Sequence, residues 1–106
     1  MAESESVDAA HLAQLREVME GDYVDLLQTY LDNAPKELGR LHNGLWSQDY
    51  SAITLAAHTL KGSSSNIGAV RLAQMFKELE HASKQQQPFG IIGEAFERIQ
   101  YEYQQV

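Results

Sequence analysis

Apolar residues recur at helical spacing through almost the whole chain, and that periodicity leaves little room for anything but an all-α fold. An α-helix advances about 100° per residue, so a buried stripe recurs at i, i+3, i+4 and i+7. The longest run is Tyr23, Leu26, Leu27, Tyr30, Leu31, Ala34, Leu38, Leu41 and Leu45, which holds that period for about six turns. Pro35 lies in its middle and removes one backbone hydrogen bond, so a kink is expected rather than two helices. Before this run, a short helix is expected from Asp8 to Glu20 on the stripe Leu12, Leu15 and Met19, broken by Gly21-Asp22. After it, Ser47 or Asp49 can cap a third helix that runs to about Ser65. Ser65 to Gly68 reads as a turn, and a fourth helix from Ala69 to about Lys84 buries Leu72, Phe76 and Leu79. Gln85-Gln86-Gln87 is a polar connection. Pro88 suits the start of a last helix on the stripe Ile92, Phe96, Ile99 and Tyr103, although Gly90 and Gly93 blur its first turn. Trp46, at the end of the long run, is expected to close the core.

Five amphipathic helices with short connections predict an antiparallel up-and-down four-helix bundle, with the additional N-terminal helix lying across one end. The expected organisation is one domain over residues 1–106, with 1–7 flexible. Eight Lys and Arg against fifteen Asp and Glu give a formal charge of −7, and no basic stripe is long enough to follow a phosphate backbone, which argues against nucleic acid. Without cysteine the chain has no disulfide, no thiolate nucleophile and no cysteine-ligated zinc. No apolar run approaches the roughly 20 residues that cross a bilayer, and the acidic amino terminus lacks the pattern of a secretory signal. A cytoplasmic protein without membrane attachment is expected.

The segment Ala56-Ala57-His58-Thr59-Leu60-Lys61-Gly62-Ser63-Ser64 stands apart from this core pattern. Ile53, Ala56, Ala57, Leu60, Ser64 and Ile67 form its buried stripe, and His58 lies about 140° round from Ile53, beside Leu55, Gly62 and Ser65. The histidine therefore points outward. Gly62 costs roughly 0.5–1 kcal/mol in a helix relative to alanine, and close approach by another molecule is a reason to keep it. Across the hairpin centred on Asn66 to Gly68, His58 and Glu80 lie level. A carboxylate there can accept from imidazole Nδ1–H, which fixes the tautomer and leaves the Nε2 lone pair facing solvent as a nucleophile. Lys61, Lys77 and Lys84 can supply positive charge near that nitrogen. An oriented, exposed histidine with lysines beside it suits the acceptance of a phosphoryl group. No Gly-rich phosphate loop is present, so donor and acceptor are expected to be other proteins rather than a nucleotide.

The residues His58-Thr59-Leu60-Lys61-Gly62-Ser63-Ser64, then Gly68-Ala69-x-x-Leu72 and Leu79-Glu80, closely resemble the histidine-containing phosphotransfer (HPt) family, over essentially the whole chain. The resemblance implies that His58 is the phospho-acceptor, exchanging phosphate with aspartates of receiver domains of hybrid sensor kinases and response regulators in a phosphorelay. By motif position it implies that Lys61 assists phosphate binding, that Gly62 lets the receiver approach, that Glu80 orients the imidazole and that Lys84 is a second basic residue. Glu80 stands where Gln is an alternative and adds a negative charge beside the acceptor. Leu55 and Ser65, with Gly62, would belong to the docking face. No cofactor is expected, Mg²⁺ being needed only in the acidic pocket of the partner receiver. A free-standing, monomeric carrier without enzyme turnover is the expectation.

Three other functions are weighed against this one. A carboxylate-bundle metal enzyme needs two inward Glu-x-x-His pairs and two further glutamates, and the chain offers only Glu78-x-x-His81. A helical adaptor without chemistry fits the acidic composition equally well, but should tolerate His58→Gln. A dimerising histidine-kinase helix pair fits poorly, because Thr59 rather than an acidic residue follows the histidine and no ATP-binding domain follows.

Overall fold

The computed structural model describes the backbone of residues 9–105 and the side chains of residues 23–105. Among them the chain forms four helices and no strand: α1 (Ala9–Trp46), α2 (Tyr50–Asn66), α3 (Val70–Lys84) and α4 (Phe89–Tyr103). The helices follow one another up and down: α2 packs between α1 and α3, and α4 packs on α3. The core runs along the predicted stripes, with Leu41, Ile53, Leu60, Ile67, Leu72, Phe76, Leu79, Ile92 and Ile99 buried. Tilted Tyr30 and Tyr103 rings, with centroids 6.3 Å apart, join α1 to α4.

Helix α1 runs without interruption through Gly21 and Asp22, so the break expected there is corrected. One glycine costs only about 1 kcal/mol in a helix, and Glu17, Met19 and Glu20 before it are good helix formers. The expected crossing of a first helix over one end of the bundle, with its stripe of Leu12, Leu15 and Met19, lies outside the described side chains, as do residues 1–7 outside the described backbone. Pro35 sits inside α1 rather than dividing it. Trp46 is a second correction. It is 86% exposed, because it lies about 100° beyond Leu45 on the helix and the chain turns away at once. Leu31 is also exposed, at the edge of a stripe centred on Tyr30 and Ala34.

The helix ends explain the tight connections. Asp49 caps α2, its carboxylate accepting from the Ala52 N–H at 3.2 Å. Ser47 instead donates to the Asn43 carbonyl at 2.8 Å, which settles the choice of cap. Three helices close with a left-handed residue whose successor donates back five positions. These are Gln48 (φ 56°) with Asp49 N–H to Gly44 O at 2.8 Å, Gly68 (φ 81°) with Ala69 N–H to Ser64 O at 2.9 Å, and Gln86 (φ 55°) with Gln87 N–H to Ala82 O at 3.1 Å. Gly44 is buried where α1 meets α2; a Cβ there would lie 3.0 Å from Ile53 Cγ1. At the same end Tyr50 stacks on Phe89, centroids 4.1 Å apart, and its hydroxyl donates to the Gln87 carbonyl at 2.6 Å. Arg71 and Glu102, 3.4 Å apart, tie the start of α3 to the end of α4.

Candidate functional site

The turn through Gly68 folds α3 antiparallel along α2 and so sets His58 beside Glu80. His58 lies mid-helix on α2 with its side chain 61% exposed, and its Nδ1 is 3.0 Å from Glu80 Oε2. Glu80 is buried, with its side chain 8% exposed. Its other oxygen is 3.0 Å from Lys61 Nζ, and Lys84 Nζ, one turn further along α3, is 3.3 Å from Oε2. A carboxylate removed from water usually costs several kcal/mol unless paired, and here three nitrogens converge on it. Burial pushes the Glu80 carboxyl up, but hydrogen bonds from Lys61, Lys84 and His58 and the charge of Lys61 outweigh it and hold it below the ordinary value of 4.5.

That ionisation decides the tautomer. An ionised carboxylate only accepts hydrogen bonds, so the imidazole nitrogen facing it must carry the proton. His58 is then the Nδ1–H tautomer, and Nε2 keeps a free lone pair on the exposed side of the ring. The arrangement can present a neutral nitrogen nucleophile to an incoming electrophile and offset the positive charge that the ring takes up on reaction.

The remaining predicted residues fall on the same face. Leu55, Gly62 and Ser65 are exposed, and a Cβ on Gly62 would meet nothing within 4 Å. Lys61 and Lys84, expected to face an anion, both rest on Glu80, while Lys77 joins no ion pair among the described residues. His42 and His81 are exposed without such surroundings, and His11 lies outside the described side chains. Glu78 and His81 both face solvent, and no group of three or more potential metal-ligating carboxylates and imidazoles gathers among the described residues. That removes the inward metal-binding pair the metal-enzyme reading needed. No helix is long and apolar enough to cross a membrane among the described residues.

Sequence reasoning missed the floor of this site. One turn before His58, the Thr54 hydroxyl donates to Ser83 Oγ at 2.8 Å, and Ser83 donates to the Tyr50 carbonyl at 3.0 Å. The available signal was Thr54 and Ser83 flanking the His58–Glu80 pair at matched positions on the two helices.

A family model described as the Hpt domain matches residues 25–106. The structure is similar to the crystal structure of histidine-containing phosphotransfer protein B from Pseudomonas aeruginosa PAO1, with a TM-score of 0.81 and 36% sequence identity, covering 92% of this chain and 84% of that one. No curated protein matches the chain. With four up-and-down helices, an outward histidine held by a buried acid and a family match over most of its length, the chain belongs to the Hpt domain family.

Proposed function

We propose that this protein is a phosphoryl carrier, accepting phosphate on His58 Nε2 from an aspartyl phosphate of one receiver domain and passing it to the aspartate of another. The observation that carries the reading is the 3.0 Å contact between exposed His58 Nδ1 and buried, ionised Glu80. In the forward step the Nε2 lone pair forms a P–N bond as the bond from phosphorus to the aspartyl oxygen breaks, its electron pair leaving on the carboxylate. The ring keeps its Nδ1 proton and becomes cationic, and Glu80 stabilises that charge. The return step is the reverse, so the protein is carrier rather than turnover enzyme. Such transfer asks the protein for little beyond position and charge.

Lys61 and Lys84 stand ready to exchange Glu80 for phosphoryl oxygens once these arrive. Leu55, Gly62 and Ser65 form the receiver-facing surface, where the missing side chain of Gly62 permits close approach. Mg²⁺ serves in the receiver's own acidic pocket. An exposed site on a single bundle fits a monomer working in the cytoplasm.

The test is phosphoryl transfer from a panel of phosphorylated receiver domains, read by phosphate-retention gel, with His58→Gln alongside. Acid-labile, base-stable label on the wild type alone is the expected result. Label on both proteins would move the acceptor elsewhere, exposed His81 being one candidate. Binding without label from any receiver would leave a docking adaptor as the better reading.

A further inference from the structure

The His58–Glu80 contact links a largely exposed side chain to a buried one, so its length depends on how α2 and α3 are spaced and rotated. Those helices bury the small residues Ala56, Ala57 and Ser83 beside the larger Ile53, Leu60, Phe76 and Leu79. The rung next to the reacting pair is not apolar. Thr54 lies four residues before His58 and Ser83 three residues after Glu80, so in an antiparallel hairpin they face each other one turn away. A mid-helix threonine ordinarily bonds back to the carbonyl four residues earlier in its own helix, which here is Tyr50. Instead the Thr54 hydroxyl crosses to Ser83 Oγ at 2.8 Å, and it is Ser83, from α3, that donates to Tyr50 O at 3.0 Å. A bond that usually stays within one helix has become a bridge between two. Ser83 is 1% exposed, so neither hydroxyl bond is easily replaced by water.

Resting on the carrier reading, we propose that Thr54 and Ser83 are positioning residues for phosphoryl transfer. Their paired hydroxyls lock the register of α3 on α2 and thereby hold the Glu80 carboxylate against His58 Nδ1. The same rung settles the last turn of α3, from which Lys84 reaches back to Glu80. Neither residue touches the reacting nitrogen; both act through Glu80.

The experiment compares Thr54→Val and Ser83→Ala with Thr54→Ser, which keeps the hydroxyl. Ser64→Ala is the structural control: it removes another buried hydroxyl contact, Tyr30 to Ser64 at 3.0 Å, which joins α1 to α2 away from Glu80. Two readouts are taken on the folded proteins: the imidazole ¹⁵N shifts of His58, which report the tautomer, and the initial rate of His58 phosphorylation by phosphoramidate, which needs no receiver. Thr54→Val and Ser83→Ala should mix the two tautomers and lower the rate about five- to tenfold, the scale of one lost hydrogen bond acting on the site. Thr54→Ser should restore both readouts, and Ser64→Ala should lower the melting temperature while leaving both unmoved. Wild-type tautomer and rate in folded Thr54→Val and Ser83→Ala would overturn the proposal, as would equal losses in Ser64→Ala. Failure of the wild type to label would instead sink the carrier reading, and the tautomer measurement would still judge the hydroxyl bridge.

Discussion

Replacing Glu80 by alanine separates two things the carboxylate does. The group is buried, and breaking a buried ion pair commonly costs about 3–5 kcal/mol because a charge is stranded away from water. Here the stranded partners are not buried: the side chains of His58, Lys61 and Lys84 are 61%, 32% and 63% exposed. Each can turn to solvent, so screening reduces the loss to about 1 kcal/mol, a fall in melting temperature of about 5 °C for a domain of this size. Reactivity should suffer more visibly. A hydrogen bond to a charged group contributes about 1.5–3 kcal/mol, and discounting for the exposure of the ring leaves about 1.4 kcal/mol, a tenfold slower phosphorylation. Glu80→Gln keeps an oxygen that can accept from Nδ1–H but removes the charge, so its rate should stay within about threefold of wild type. The assays are thermal unfolding by circular dichroism and initial labelling rate from phosphoramidate. A Glu80→Ala protein as fast as wild type would refute the orienting role, and Glu80→Gln as slow as Glu80→Ala would make charge rather than hydrogen-bond geometry decisive.

The Glu80 carboxyl is held below its ordinary value of 4.5, so its ionised form favours the folded state. That contribution is complete above the unfolded value and disappears as pH falls through the folded one. The stability gap between wild type and Glu80→Gln should thus be constant near neutrality and close below about pH 4.5; a gap unchanged in acid would contradict this. Gly62→Ala meets no neighbour within 4 Å and should raise stability by about 0.5–1 kcal/mol. It should slow transfer from a receiver while leaving phosphoramidate labelling unchanged, and equal slowing of both would place its effect on the histidine rather than on approach. Leu55→Ala, at an exposed position, should change stability by less than about 0.5 kcal/mol but weaken receiver binding measured by calorimetry, and unaltered affinity would remove Leu55 from the docking face.

The pairing of His58 with Glu80 was legible because a hairpin places residues equidistant from its turn side by side, and Gly68 marked that turn. The stripes of α2, α3 and α4 followed from period alone. Lys84 was found as a basic residue near the nitrogen, but spacing could not reveal that both it and Lys61 rest on Glu80, since long flexible side chains choose partners by local charge. Gln48 and Gln86 end helices in the left-handed region where glycine is the usual sign, so nothing in their identity announced them. Trp46 misled through its size, which suggested core, whereas its angle on the helix sends it outward. Thr54 and Ser83 stayed hidden because a hydroxyl within a helix most often bonds to its own backbone.

Among the described residues the hydrogen-bond partner of the histidine comes from its own hairpin, α2 and α3, with His58 and Glu80 only 22 residues apart in the chain. Closing so short a loop costs little chain entropy, so the reacting constellation is a local unit that can assemble early in folding. The outer helices α1 and α4 supply apolar cover and, among the described residues, no hydrogen bond or ion pair to the imidazole. Their solvent faces are consequently free to vary without disturbing the His58–Glu80 pair.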